Sequence, residues 1–380
     1  MSVTTLRVVI DQIVAPVPGG TGRYTEELTR ELIRTAPVGC DVAGIVSSSP
    51  EADYETLTTL LPGLSGLYKT RLPRRQLRIA WQYGLALPGK GMIHAPSLLA
   101  PLARHDRLHN QGDQTVVTIH DVVPWTHPET LTRHRVAWHK AMARRAQKYA
   151  DAVVVPTHAV AEQLGEILNF GNRIRVIGGA VSPKLILPVD ADLRAATLGL
   201  PDRYLLSVGT LEPRKGLVAL IQSLARPGAV DLPLLVAGPV GWRELDVAAI
   251  AAEAGLAEGR VRSLGFLTDA DLAVALERAS VFVFPSIAEG FGLPVIEAFS
   301  LGTPVVHSDV PAVVEVAAGA GVTVACEDAE GYPERLAAAI SAVLADPALA
   351  KRLRITGLDR AKTFSWKDSA EKVWQLHADL

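Results

Sequence analysis

The sequence predicts an α/β protein built as two doubly wound, parallel sheets, and three observations lead there. Short β-branched runs alternate with helix-length amphipathic segments along the whole chain, the pattern of strand, crossover helix, strand. The runs fall into two sets of about six, separated by a stretch punctuated by Pro183, Pro188 and Pro201, as at a domain boundary. A chain of 380 residues, 48% of them hydrophobic, can fill two cores of ordinary domain size.

In the first set the candidate strands are residues 6–10, 42–46, 92–94, 116–119, 153–155 and 174–177. In the second they are 204–208, 234–237, 261–264, 281–284, 304–307 and 321–324. Each is a short apolar run of strand length. Two facing domains with a cleft between them are expected. A final segment opens at Ser365 and places Ala370, Val373, Trp374 and His377 on one side, the spacing of a capped amphipathic helix.

Composition narrows the setting. Cys40 and Cys326 are the only cysteines and belong to no C-x-x-C, so neither a disulfide framework nor a structural zinc site is expected. The first residues run into a strand without a basic and then apolar leader, and no apolar run reaches the roughly 18 residues of a bilayer span. A cytoplasmic protein is expected, soluble or peripheral at the inner face of the membrane. The net charge of −2 conceals an asymmetry, since residues 1–190 carry 21 Lys and Arg against 16 Asp and Glu, and residues 191–380 carry 17 against 24. Part of the excess lies in Lys69, Arg71, Arg74, Arg75 and Arg78. Another part lies between Arg133 and Lys148, interleaved with Trp138 and Met142. Such faces suit anionic lipid or an anionic acceptor; a solvated helix face over a core stripe has the same periodicity. No motif of a DNA or RNA reader is present, and no nucleic-acid partner is expected.

The first motif, Gly19-Gly20-Thr21-Gly22, follows the first strand and opens a helix. It fits a turn whose N–H groups approach a phosphate, and equally a plain structural turn. It lacks the G-x-G-x-x-G order, and no acid stands about 20 positions on at the end of a second strand, which disfavours a dinucleotide cofactor. His120-Asp121 ends a strand of the first domain. His120 can bind a hydroxyl or shuttle a proton there, with Asp121 as orienting partner or simple turn cap. Gly209 ends the first strand of the second domain, and Glu212-Pro213-Arg214-Lys215-Gly216 follows. Two adjacent cations can neutralise a diphosphate; taken alone they make an ordinary basic turn.

The most informative stretch reads Glu289-Gly290-Phe291-Gly292-Leu293-Pro294 and continues to Glu297. Pro294 suits the first helical position, leaving the N–H groups of Gly292 and Leu293 at the helix N-terminus, where an anion is favoured. Glu289 lies on the preceding loop, at the strand end where open α/β sheets bind ligands, and Glu297 one turn into the helix. A loop carboxylate for sugar hydroxyls, a helix N-terminus for phosphate and a second carboxylate for ribose describe a nucleotide-sugar site. Two lures are set aside. Asp269 and Asp271 imitate a metal-holding D-x-D, but Thr268 followed by Asp271 is a capping pattern; His105 and His109 have i, i+4 spacing without a completing acid.

With its E-x(7)-E spacing from Glu289 to Glu297, the chain resembles the large retaining glycosyltransferase family 4 (group 1), which contains bacterial mannosyltransferases and sucrose-phosphate synthases. The likeness extends through Gly19-Gly20, His120-Asp121, Val208-Gly209 to Lys215-Gly216, Ala237-Gly238-Pro239, Gly265-Phe266 and Gly302-Thr303-Pro304-Val305-Val306, in order along most of the chain. The resemblance implies a GT-B fold of two facing Rossmann-like domains, retention of anomeric configuration, and no metal or other cofactor. It implies an acceptor-binding domain over 1–187, a donor-binding domain over 188–362, and a returning helix over 363–380 that rejoins the first. Carried over residue by residue, Glu297 holds the ribose, Glu289 the sugar hydroxyls, and Gly290, Phe291, Gly292 and Leu293 the sugar and phosphate. Arg214 and Lys215 beside Gly209 bind the diphosphate, Gly19 and Gly20 let the first domain reach it, and His120 contacts the sugar. The chain departs from the family at Thr210, where relatives often carry arginine, and at Gly178-Gly179-Ala180-Val181.

The expected reaction is transfer of a hexose from a nucleoside-diphosphate sugar, first of all mannose from GDP-mannose, to a hydroxyl of a polysaccharide, lipid-linked oligosaccharide or glycolipid. The alternatives are a sugar-nucleotide epimerase of the same architecture and a non-catalytic nucleotide- or glycan-binding module. A nicotinamide-dependent oxidoreductase is disfavoured by the missing fingerprint. Acceptor recognition is expected of the loops around 47–80 and 97–114.

Overall fold

The computed structural model describes residues 3–106, 109–110, 112–239 and 245–380. The chain divides into two compact units, Met1–Gly179 with Ser365–Leu380, and Ala180–Phe364. The acceptor loop expected over 97–114 includes 107, 108 and 111, which lie outside the described residues.

The first unit holds a seven-stranded sheet of β1 (Thr4–Val9), β2 (Cys40–Ser48), β3 (Gly66–Pro73), β4 (Met92–Ala95), β5 (Gln114–Thr118), β6 (Ala152–Val155) and β7 (Ile174–Val176). Their order is β3-β2-β1-β4-β5-β6-β7, with every neighbouring pair parallel. β5 and β6 are buried at every position, as expected of parallel strands covered by helices on both faces. Six of the seven strands coincide with runs expected from sequence. The seventh, β3, is an edge strand in which only Thr70 is buried, so it has no apolar alternation to announce it.

The second unit holds β8 (Leu205–Val208), β9 (Leu234–Ala237), β10 (Val261–Gly265), β11 (Val281–Phe284), β12 (Val305–Ser308) and β13 (Val322–Val324) in the order β10-β9-β8-β11-β12-β13, again all parallel. Its sheet is packed on both faces. Tyr204, Phe282, Phe284 and Phe299 lie in one core, and Leu205, Val236, Val283 and Tyr332 in the other. The break between units falls ahead of the expected 187/188, because Leu185 is buried in the second unit's core with Val181 against it. Phe364 packs there too, edge-on to Phe291, so the returning segment begins at Ser365, two residues after the expected 363.

That segment forms the helix Trp366–Asp379. The Ser365 side chain accepts from the Asp368 N–H at 3.2 Å and caps it. The helix lies against Gly19–Arg34, where the Trp374 indole donates to the Leu32 carbonyl at 3.1 Å; the Ser369 hydroxyl donates to Gly178 O at 2.9 Å. No helix among the described residues is long and apolar enough to cross a membrane.

Candidate active site

Open parallel sheets bind ligands beyond the carboxyl ends of their strands, where the strand order reverses. In the second unit that point lies between β8 and β11, and the loops leaving these strands carry most of the residues singled out from sequence. β8 leads through Gly209 to a short 3-10 turn, Pro213–Lys215, ended by Gly216 at φ +67°. A Cβ on Gly216 would stand 2.0 Å from the Pro285 carbonyl oxygen, so glycine is required both for its backbone and for the close approach. The loop after β11 is tied to this turn by the Ile287 N–H, which donates to Arg214 O at 2.8 Å.

The contact between the two loops brings three charges together. Lys215 Nζ donates to Glu289 Oε1, and Arg214 Nη1 lies 3.3 Å from the same oxygen. Arg214 also donates to Ala288 O at 3.2 Å and, through Nε, to Glu212 Oε2 at 3.2 Å. The side chains of Lys215 and Glu289 are only 12% and 10% exposed. Burial pushes the lysine below its ordinary value, and the attraction of Glu289 only partly restores it. Burial acts to raise Glu289, but the charges of Lys215 and Arg214 with the lysine hydrogen bond outweigh it, so the carboxylate titrates below its ordinary range. The lysine ammonium also stands 5.3 Å from the centre of the Phe284 ring. The result is two cations, Arg214 and Lys215, shared between two carboxylates, Glu289 and Glu212.

Beyond Glu289 the chain enters the helix Leu293–Ser300. Pro294 occupies its second position, one later than expected, because Gly292 takes φ +95° as N-cap and Leu293 opens the helix. The N–H groups of Gly292 and Leu293 donate to no acceptor among the described residues, whereas Val295 N–H returns to Gly292 O at 2.9 Å. Two open donors at a helix N-terminus favour an anion. Gly290 is buried beside them, and Phe291 packs on Phe364 with centroids 5.7 Å apart. Glu297 is 4% exposed in the same helix. All of Gly209, Arg214, Lys215, Glu289, Gly290, Phe291, Gly292, Leu293 and Glu297 thus lie in one unit, on the two loops and one helix that flank the switch point.

Gly19, Gly20 and His120 lie in the other. Gly19 has φ +57° and opens the helix Gly19–Arg34 after β1, at the first sheet's own switch point between β1 and β4. His120 follows β5. Its Nε2 lies 2.7 Å from Pro96 O; since a carbonyl only accepts, Nε2 carries the proton and Nδ1 keeps a lone pair. Burial lowers its pKa and keeps the ring neutral near pH 7. Asp121 is a turn cap, accepting the Val123 N–H at 3.1 Å. The D-x-D lure resolves in the same way, since Asp271 bonds the Thr268 hydroxyl and pairs with Arg194 at 2.8 Å. His105 and His109 turn to separate carboxylates, Asp151 and Asp106.

Several residues of the site carry no assignment from sequence. Glu212 is 7% exposed and shares Arg214 with Glu289. Tyr332 and Ser308 donate to the carbonyls of Pro285 and Ser286 at 3.0 and 2.5 Å and brace the loop before Glu289. Tyr24 packs edge-on to His120 at 4.8 Å. Only Glu212 had a legible signal, an acid inside the motif itself; the others come from distant segments and need the fold to find them.

Comparison with known proteins shows the family and the fold. Residues 190–360 match the family model for glycosyl transferases group 1, and residues 18–185 that for glycosyltransferase family 4. The chain is 29% identical over 376 residues to O-antigen chain mannosyltransferase B of Escherichia coli, covering 92% of this chain and 93% of that protein. It is 35% identical over 305 residues to alpha-maltose-1-phosphate synthase of Mycobacterium tuberculosis, with 75% and 78% covered. Among solved structures it resembles the sucrose-phosphate synthase of Thermosynechococcus elongatus, with TM-score 0.73, 25% identity and 100% and 99% covered. The Anabaena protein Alr3699/HepE, solved in complex with UDP and glucose, shares the fold with TM-score 0.75 at 17% identity, with 99% and 100% covered.

Proposed function

We propose, for a chain that belongs to the group 1, family 4 glycosyltransferases and has their GT-B fold, that the sugar it transfers is mannose, taken from GDP-mannose with retention of configuration. The acceptor on this reading is a hydroxyl of a polysaccharide, lipid-linked oligosaccharide or glycolipid at the cytoplasmic face of a membrane, with the enzyme peripheral there. Similarity to O-antigen chain mannosyltransferase B of E. coli supports the sugar. The observation that carries the site is the pairing of Arg214 and Lys215 with Glu289, next to the open N–H groups of Gly292 and Leu293.

In this mechanism the diphosphate of the donor takes over the two cations, and Glu289 is released to accept hydrogen bonds from the sugar hydroxyls. The C1–O bond to the β-phosphate breaks and its electron pair leaves on the diphosphate. Arg214, Lys215 and the helix N-terminus stabilise that developing charge. The acceptor oxygen forms the new C1–O bond on the same face, and its proton passes to the departing phosphate oxygen. Glu297 holds the ribose. His120 offers Nδ1 to a substrate hydroxyl. On this reading Arg214, Lys215 and the helix N-terminus stand in the place of a divalent metal, and no other cofactor takes part.

Thermal-shift titration with GDP-mannose, UDP-glucose, UDP-galactose, UDP-N-acetylglucosamine and deoxythymidine-diphosphate rhamnose, without added metal, tests the donor, because a ligand that binds only the native state raises the midpoint. GDP-mannose should give the largest rise and Glu297→Ala should abolish it. A rise with another donor alone overturns the mannose assignment. An acceptor-independent change in the sugar would reveal an epimerase instead.

A further inference from the structure

Residues 56–105 contain seven lysines and arginines and no aspartate or glutamate, and residues 130–150 contain six and none. The fold places the two acid-free segments side by side. The Arg78 guanidinium lies 4.4 Å over the Trp138 ring, whose indole N–H reaches Arg78 O at 3.5 Å, and Gly84 abuts the Arg145 guanidinium. The helices Arg74–Gln82 and Arg133–Tyr149 therefore form one cationic layer. Arg71, Arg75, Arg78, Arg144 and Lys148 make no ion pair among the described residues.

The same layer exposes apolar side chains. Ile79, Tyr83, Leu85 and Leu87 are 54, 68, 62 and 43% exposed within nine residues of chain. Arg75, Ile79 and Tyr83 follow one another at four-residue intervals along one side of the first helix and its C-cap. Single exposed leucines need no explanation, but four apolar side chains close together in the sequence leave apolar area in water beside cations that have no counter-charge among the described residues. A soluble polyanion would use only the charge. An anionic bilayer uses both, taking apolar groups at the acyl boundary and guanidinium groups at the phosphates.

We infer that this face, the outer side of the Arg74–Gln82 helix with the turn through Leu87 and the neighbouring Arg133–Tyr149 helix, docks on an anionic lipid surface. It deepens the proposed peripheral location, resting on that reading only for its setting. Binding is measured without donor or acceptor, so a failure of either assay leaves the other reading standing.

The test is co-sedimentation of the full chain with vesicles of phosphatidylcholine alone and of phosphatidylcholine with phosphatidylglycerol. The wild type should bind only the mixed vesicles and be released by salt. Arg75→Gln with Arg144→Gln should weaken binding well over tenfold, at roughly fivefold per cation near such a surface. Ile79→Ser with Leu85→Ser should weaken it while leaving its salt dependence intact. All four positions lie at the surface, and unchanged thermal midpoints would show that the fold is kept. Equal binding to both vesicles, no binding by the wild type, or binding that ignores the serine pair would overturn the inference. So would a concentration-dependent dimer abolished by the same substitutions, which would assign the face to a second copy of the chain.

Discussion

Acidification should loosen the first unit through two histidines that have no room for a second proton. His94 on β4 is fully buried, and neither ring nitrogen has a hydrogen-bond partner among the described residues. His377, in the C-terminal helix, is 3% exposed and stands edge-on to it at 5.6 Å. The Gln114 amide nitrogen donates to His377 O at 3.1 Å, which turns its oxygen to His377 Nδ1 at 2.9 Å. Nδ1 therefore carries the proton, and Nε2, buried without a partner among the described residues, is left as the site of the second. Burial pushes His377 down to about 4 and His94 well below its ordinary value, the latter also by its neighbour's charge. A depressed pKa means that the unfolded chain binds the extra proton first. Stability is complete above about pH 6.5, the unfolded value, and is lost as the pH falls toward 4. For His377 the slope of about 1.4 kcal/mol per pH unit gives a loss of about 3 kcal/mol by pH 4, and about 1.4 kcal/mol at pH 5.5. His94 acts in the same direction. Urea titrations at pH 7.5 and 5.5, followed by tryptophan fluorescence, should show the midpoint falling more in the wild type than in His94→Leu with His377→Gln. Equal falls in both proteins would refute the argument.

Turnover should drop by about 10²–10³ in Glu289→Gln and in Lys215→Met, the size of one lost transition-state contact, with sugar transfer measured at saturating donor. Gly216→Ala should cost more than about 2 kcal/mol and most of the activity, since its Cβ would meet the Pro285 carbonyl in a backbone conformation that disfavours side chains; thermal unfolding and a transfer assay read the two effects. Extensive dialysis against a chelator should leave the transfer rate unchanged, and a rate restored only by a divalent ion would refute the metal-free step.

Most strands were legible because a strand buried on both faces in a parallel sheet is apolar at nearly every position, as in β6 and β11. β3 escaped for the converse reason: at the sheet edge, with Lys69 and Arg71 in it, it is written like a loop. The two compact units divide ahead of the proline-marked 187/188 because prolines mark where a chain turns, whereas membership of a core depends on what Leu185 and Phe364 touch. The candidate site was partly legible for a similar reason. Glu289, Arg214 and Lys215 stand in short motifs, but that all three meet at one oxygen depends on β8 and β11 being neighbours, and adjacency across 74 residues of sequence leaves no local trace.

The meeting of those three charges has a consequence that separates substrate from product. Lys215 and Arg214 are balanced by the two carboxylates Glu289 and Glu212, so a positive excess arises only when Glu289 turns away, and that excess, with the open N–H groups of Gly292 and Leu293, favours a diphosphate. Glu289 competes with the diphosphate for the same cations while contributing bonds to the sugar. Neutralising it as Glu289→Gln should therefore act oppositely on two ligands. Binding of the nucleoside diphosphate alone should tighten severalfold or more, since a charge only about 3 Å from the cations repels the phosphates with an energy of kilocalories at an effective dielectric near 20. Transfer from the intact donor should fall. Calorimetric titration with GDP and with GDP-mannose reads both effects. Weaker binding of GDP by the variant would mean that Glu289 orders the cations for the phosphate rather than competing with it, and the exchange proposed for the donor site would have to be abandoned.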